Sequence, residues 1–375
     1  MIYLDNAATT RACRQAADAA CRAMLEDYGN TLSTHSAGRQ AYDKLESARE
    51  HVAALFGAKT SEICFTSGGT EADNMALCGA VGSKNRPGNH IITSGYEHYG
   101  VLKMARELEK RGFEVTYLPP GRDGVIEPEA LASALREDTA LVSIMLVNNE
   151  TGAINPVAEY AAAIKRRGLR AILHTDAVQG FGKLPFTAKA LGADLISVSA
   201  HKIHGAKGAG ALYIKSGVKL TPLLYGGSQE NGLRPGTHSL PAIVAFGEAA
   251  RLALPSIETN FAYVTELREY AVTLLQGFGV KIISTDTASP YILSISLPGH
   301  RSETLMNALE QDGICVARSS ACKKGARSHV LEAMGLRPEI IDGALRVSFS
   351  HETTRGELAI FAESLEKISK TLFRR

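Results

Sequence analysis

The chain has 375 residues, enough for two domains and a large core. Its 41 basic and 39 acidic side chains leave a formal net charge of +2, which argues against a nucleic-acid or membrane surface acting through bulk electrostatics. A hydrophobic fraction of 45% and a charged fraction of 21% match a soluble globular protein rather than a disordered or membrane-embedded one.

The opening run Met1-Ile2-Tyr3-Leu4-Asp5-Asn6-Ala7-Ala8-Thr9-Thr10 has neither the basic nor the apolar segment of a secretory signal. No apolar run approaches the length that spans a bilayer. A cytosolic protein is therefore expected, with no membrane partner and no direct nucleic-acid partner. The cysteines, Cys13, Cys21, Cys64, Cys78, Cys315 and Cys322, contain no CxxC pair and are too sparse for a disulfide framework. In a reducing compartment most should be buried thiols, and an exposed, activated one would stand out.

From about residue 60 to 215, short β-rich runs alternate with helical periodicity. The runs 62–66, 90–93, 115–118, 139–147, 171–175, 194–199 and 211–214 read as strands. The segments 71–81, 99–111, 128–136 and 157–167 read as helices. That alternation predicts a mainly parallel seven-stranded sheet with helices on both faces, an α/β fold. Residues 240–277 read as one or two long helices. The rhythm then changes: 291–297 extended, 303–311 helical, 314–317 and 344–350 extended, and a final helix. These predict a smaller α+β layer.

Several polar motifs fall at the carboxyl ends of predicted strands, where open α/β sheets expose their ligand sites. Thr66-Ser67-Gly68-Gly69-Thr70-Glu71 follows a strand and opens a helix. Gly68 and Gly69 let the backbone approach an anion, and Thr70 adds a hydroxyl at the positive end of the helix dipole. A plain helix-capping turn is the alternative. Glu97-His98 and Asn148-Asn149-Glu150 follow two further strands; His98 can stack on a flat ring and Asn149 can donate to an oxygen, or each can serve its own turn. His174-Thr175-Asp176-Ala177-Val178-Gln179 offers an anion for a protonated ring nitrogen and an amide for a ring oxygen. Ser197-Val198-Ser199-Ala200-His201-Lys202 ends another strand. A lysine there can form a Schiff base, while Ser199 and His201 can reach a phosphate. Lysine and aspartate so placed are the fixtures that pyridoxal 5'-phosphate requires; a solvated surface lysine, or His201 and His204 as metal ligands, are the plainer alternatives.

Taken together these runs resemble the cysteine desulfurases of the NifS/IscS type, in the class-V aminotransferase branch of fold-type I pyridoxal phosphate enzymes. The resemblance rests on Leu4 to Thr10, Gly29-Asn30 with His35 and Gly38, the Thr70 loop, Glu97-His98, Asn148 to Glu150 and the Asp176 run. Ser199 to Lys202, Arg234-Pro235-Gly236-Thr237, Ser320-Ala321-Cys322 and Leu345-Arg346-Val347-Ser348 complete it, all in the family's order. It implies a large α/β domain over residues 14–255 and a small α+β domain from 1–13 and 256–375. It further implies Lys202 as the Schiff-base lysine, Asp176 at the ring nitrogen, Gln179 at the ring oxygen and His98 stacked on the ring. Gly69, Thr70, Ser199 and His201 are then phosphate contacts, with Thr237 reaching the neighbouring subunit of a homodimer. Asn30, Asn149 and Arg346 meet the substrate L-cysteine or the ring, Asn149 counting as a cofactor contact too, and Cys322 takes the sulfur as a persulfide; no metal is implied.

The implied reaction converts L-cysteine to L-alanine and delivers sulfur to an acceptor protein, for tRNA thiolation or iron–sulfur assembly. Lys323, Lys324 and Arg327 place cations beside Cys322, which favours its thiolate. The loop departs from the family's common Ser-Gly-Ser-Ala-Cys, with Arg318 and Ser319 in place of its first two residues, and Thr31 replaces a usual proline. A selenocysteine lyase, an aminotransferase of the same fold and a non-catalytic sulfur-transfer scaffold are the competing readings.

Overall fold

The computed structural model describes residues 1–83, 87–319 and 327–371. The first eight strands are β1 (Ile2–Tyr3), β2 (Ile63–Thr66), β3 (His90–Ser94), β4 (Glu114–Leu118), β5 (Thr139–Ser143), β6 (Ile172–Asp176), β7 (Leu195–Ser199) and β8 (Gly210–Ile214). All but β1 join one sheet in the order β2-β8-β7-β6-β5-β3-β4. From β7 to β4 every pairing is parallel, while β8 runs antiparallel to both β7 and β2. Every residue of β3, β5 and β7 is buried. Strands covered on both faces need continuous apolar or internally bonded residues, which these runs supply.

The apolar run 139–147 is a regular strand only to Ser143. Beyond it Ile144 and Leu146 still donate to the carbonyls of His174 and Asp176, but Asn148 N turns back to Ala153 O and ends the extension. The run stays buried throughout, so hydrophobicity could not mark where regular pairing stops.

Two helices that periodicity did not announce, Arg14–Leu25 and Ser36–Phe56, precede the alternating region. They pack against the helix Leu240–Ala253, which a 3-10 turn at Leu254–Ser256 joins to the helix Ile257–Leu274. Contrary to the expectation that no run is long enough, Leu240–Leu274 could cross a membrane by length and composition. Here Pro255 interrupts it, and Leu240, Ile243, Phe246, Ala249 and Ala250 enter the core beside the sheet. Burial of such side chains contributes about 1.5–3 kcal/mol for each Leu, Ile or Phe.

The smaller layer holds β9 (Lys281–Ile282), β10 (Ile292–Ser296), β11 (Ile314–Cys315), β12 (Ala317–Arg318) and β13 (Ala344–Ser348). An antiparallel sheet runs β12-β13-β10-β9. The extended run 314–317 divides at Val316, so that β11 pairs with the N-terminal β1 and β12 with β13. A second core gathers Leu4 and Ala7 with Leu267, Leu293, Leu305, Leu345, Val347 and Phe361. The chain's first residues are therefore stitched to its last third. On β13, Leu345 and Val347 enter this core, and the two-residue period of a strand turns Arg346 to the opposite face.

Candidate active site

A cavity of about 660 Å³ opens between the two layers, at the carboxyl ends of the central strands. Its lining includes Gly69, Thr70, His98, Asn149, Asp176, Gln179, Ser199, His201, Lys202 and Arg346. Apart from Arg346, which β13 of the smaller sheet presents, these residues converge here because their motifs follow strands of the large sheet that run in one direction and so end on the same side.

Lys202 sits in a 3-10 turn directly after β7 and is only 9% exposed. Its Nζ donates to the carbonyls of Ala7 at 2.5 Å and Ala8 at 2.7 Å, on the N-terminal strip. Burial, followed by the positive charge of Arg346, lowers its pKa to about 8. Far more neutral amine is thus available near neutral pH than an ordinary lysine offers, as a nucleophilic lysine needs. Asp176 ends β6 and accepts from Val178 N at 2.9 Å. Burial raises its pKa, while His98, the Val178 bond and Lys202 favour its ionised form. A carboxylate with so little water around it gains most from a cationic partner.

The helix Gly69–Gly82 starts at the cavity wall and runs beneath β5, β6 and β7. Gly68 at its cap has φ 154°, and a Cβ on Gly69 would lie 2.8 Å from Val178 Cγ2. A side chain would strain the backbone at Gly68 and press on Val178 at Gly69, so the start of this helix stays accessible to an anion. Thr70 is exposed there, and the buried Ser199 Oγ has no protein partner. His201 bonds Thr9 Oγ1 through Nδ1 at 3.1 Å. Burial, then Lys202 and Lys207, lowers its pKa to about 4. His204 bonds Arg11 O through Nδ1 at 2.9 Å.

Arg346 donates from NH1 to Asn149 O and from NH2 to Asp5 Oδ1, both at 2.8 Å, while its buried Nε lacks a partner. Asn149 Oδ1 is likewise buried and unpartnered. His98 caps the helix Tyr99–Lys110 by accepting from Gly100 N and exposes its ring at the cavity. These unpartnered atoms, an anion cradle, a buried lysine and a carboxylate suit the phosphate, aldehyde and ring nitrogen of pyridoxal phosphate.

Asn30 and Thr237 are not brought in. Both are exposed and neither lines the cavity within one chain. Cys322, with its neighbours Lys323 and Lys324, lies outside the described residues. Its downstream flank does reach the cavity: Arg327, Ser328 and His329 line it, and Ser328 donates to Glu150 Oε2 at 2.5 Å.

Other residues enter unannounced. Tyr99, Lys103 and Arg106 line the cavity from one face of their helix, a spacing of four and three that was readable in the sequence. Asp73 lies fully buried beneath the cavity, one turn into the Gly69 helix, and its donor atoms gather with those of His98 and Asp176 within 4.8 Å. Burial, then the charge of Asp176, raises its pKa well above the usual range. The three-residue step from Thr70 was the available signal for it.

The family model for class-V aminotransferases matches residues 2–361. The cysteine desulfurase IscS of Dictyoglomus turgidum is 40% identical over 376 residues, covering 99% of this chain and 95% of its own. The solved structure of a NifS-like protein is 39% identical, with a TM-score of 0.94 over 99% of this chain and 100% of that one. SspA, solved in complex with cysteine, is 31% identical, with a TM-score of 0.84 over 94% of this chain and 100% of that one. Resemblance, fold and site thus agree, and the chain belongs to the class-V aminotransferase family of fold-type I pyridoxal phosphate enzymes, among the NifS/IscS-type cysteine desulfurases.

Proposed function

We infer that this protein is a pyridoxal phosphate-dependent cysteine desulfurase. The observation that carries the reading is the convergence of Lys202, Asp176, Gln179, His98 and Arg346 on one cavity within a chain of this family. Pyridoxal phosphate, when bound, supplies an electron sink for the bond-breaking at the substrate's carbon atoms. The chain's own residues do the rest. Lys202 would hold the aldehyde end of the cofactor and move the substrate's α-proton; Arg346 has the fork that fits the carboxylate of L-cysteine. Cys322 attacks the substrate's sulfur as a thiolate. The carbon–sulfur bond of L-cysteine breaks, a sulfur–sulfur bond forms on Cys322, and L-alanine leaves; cysteine plus a thiol gives alanine plus a persulfide, with atoms and electrons balanced.

The persulfide sulfur passes to an acceptor protein that serves tRNA thiolation or iron–sulfur assembly. The basic run Lys323-Lys324-Gly325-Ala326-Arg327 beside Cys322 supports an acidic docking face on that acceptor. A homodimer is part of the reading: Met24, Leu25, Tyr28, Leu32, Tyr42 and Tyr225 are all about half exposed or more, and Asn30 and Thr237 need another cavity to act on. A cytoplasmic location suits cysteines that are unpaired among the described residues.

The test is incubation with L-cysteine and a reductant, measuring sulfide and alanine together. Equal amounts of both are expected. Cys322→Ser should still bind cofactor and cysteine yet release no sulfide, because an alcohol is a poor nucleophile toward sulfur. Without reductant, sulfur mass should appear on the Cys322 peptide. Undiminished desulfuration by Cys322→Ser, or sulfur on Cys64 or Cys315 instead, would overturn the assignment.

A further inference from the structure

Lys183 is a buried lysine for which the chemistry above has no use. It lies in the turns after β6 at 6% exposure, and among the described residues no carboxylate forms an ion pair with it. An ammonium buried without a counter-ion is costly, so the position calls for a reason. Its Nζ donates to Gln179 Oε1 at 3.4 Å and lies 5.7 Å from the ring centroid of Tyr291. Burial, then the facing charges of Lys202 and Arg346, pulls its pKa down to about 7.

Gln179 is itself 5% exposed and lines the cavity. Its Nε2 donates to Ala7 O at 2.9 Å. A backbone carbonyl can only accept, so this bond dictates which end of the amide is nitrogen. The amide oxygen is then turned away from Ala7, where lacking a donor would cost as much as a broken hydrogen bond. Lys183 is the donor it meets. One Nε2 hydrogen serves Ala7, and the second remains for a ligand.

We propose that Lys183 is a positioning residue: by donating to Gln179 Oε1 it holds the amide so that its second N–H meets the ring oxygen of pyridoxal phosphate. The inference rests on the reading that Gln179 contacts that oxygen. It also links the layers, since Tyr291, whose ring the amine faces, leads into β10 in the second core. The same amine lines a second cavity of about 290 Å³ that Lys202 also borders. Lys183 thus stands between the small layer and the ring-oxygen contact.

A double-mutant cycle on the dimeric holoenzyme tests this, with pyridoxal phosphate affinity and the pH dependence of the bound cofactor's visible spectrum as readouts. Lys183→Met and Gln179→Ala are each expected to weaken cofactor binding by about fivefold to tenfold, the size of one hydrogen bond, and to shift the spectral transition in the same direction. The double variant should be no worse than Gln179→Ala alone, because Lys183 acts through Gln179. Lys183→Gln, shorter and uncharged, takes the place of Lys183→Met in the same cycle if the methionine variant does not fold. Multiplying effects, or a wild-type spectrum and affinity in the Lys183 variants while Gln179→Ala is impaired, would overturn the role of Lys183 alone. An unimpaired Gln179→Ala would overturn the underlying reading of Gln179 as well.

Discussion

Lys202 is presented by a strand end, depressed in basicity by burial, and aimed at the cavity by two backbone carbonyls. On the proposed reading, replacing it with alanine removes both the attachment point and the proton carrier. Lys202→Ala should lose the cofactor–peptide adduct trapped by borohydride and should release sulfide at least about 10²-fold more slowly. Mass spectrometry of the reduced peptide and a sulfide assay check the two halves separately. Glu97 offers a stability test at the same scale. Its Oε1 accepts from Ser94 Oγ and Met145 N, and burial raises its pKa from 4.5 to about 8. The folded state therefore keeps a proton that the unfolded chain releases above about pH 4.5, so this group's stabilisation is lost as pH rises toward 8. Glu97→Gln preserves the accepting oxygen and cannot titrate. The fall in apo-protein stability between pH 5 and 8, followed by urea unfolding, should be shallower in Glu97→Gln than in wild type. An unchanged slope would assign the titration elsewhere.

At the scale of elements, the loop that carries Thr237 is held by its upstream end. Glu230 and Asn231 adopt positive φ of 48° and 56°, a conformation that costs non-glycine residues energy and persists only when other contacts impose it. The contacts come from Glu230, whose carboxylate takes Arg49 NH1 and NH2 at 2.7 and 2.8 Å, Phe65 N at 2.9 Å and His238 Nε2 at 2.8 Å. Burial alone would raise its pKa, but the bonds from His238 and Arg49 and the charge of Arg49 hold it at about 2. His238 in turn reaches Thr31 Oγ1 at 2.9 Å, beside Asn30. One carboxylate thus ties the Asn30 turn, the Thr237 loop, a long helix and the edge strand β2. Glu230→Ala leaves buried Arg49 with the part-exposed Glu46 as its carboxylate, strips Phe65 N and His238 Nε2 of their acceptor, and should destabilise the protein by about 3 kcal/mol. Urea unfolding reads that directly, and a loss below about 1 kcal/mol would mean the ion pair does little more than a surface one. Asn30 and Thr237 were legible as motif residues, yet the contacts that hold them were not. The partners lie far apart in sequence, and neither Arg49 nor Glu230 belongs to a local pattern that announces burial.

For the whole molecule, the test is whether one chain makes a complete site. Thr237 and Asn30 are exposed and away from the cavity of their own chain. A two-fold partner would supply them reciprocally. Mixing Lys202→Ala subunits with Thr237→Ala subunits should restore part of the activity, because each mixed dimer then holds one site with both defects and one with neither. No recovery after proven subunit exchange would place Thr237 in its own subunit's chemistry or in none.

The amino-acid sequence by itself determined the alternation of strands and helices, the parallel sheet and the polar residues at strand ends, including Lys202 and Asp176. These are local properties: period, apolar run and turn residue are written within a few positions of one another. It did not reveal the helices Arg14–Leu25 and Ser36–Phe56, whose apolar faces have meaning only against the helix Leu240–Ala253. Nor did it show that 314–317 divides between two sheets, since pairing partners at residues 2–3 and 345–346 decide that. In the site, tertiary structure alone decided that Ala7 and Ala8 carbonyls hold Lys202, that Asp73 gathers with His98 and Asp176, and that Lys183 meets the oxygen of Gln179. Hydrogen-bond direction and desolvation arise from groups brought together across the fold, and residue type does not encode which groups those will be.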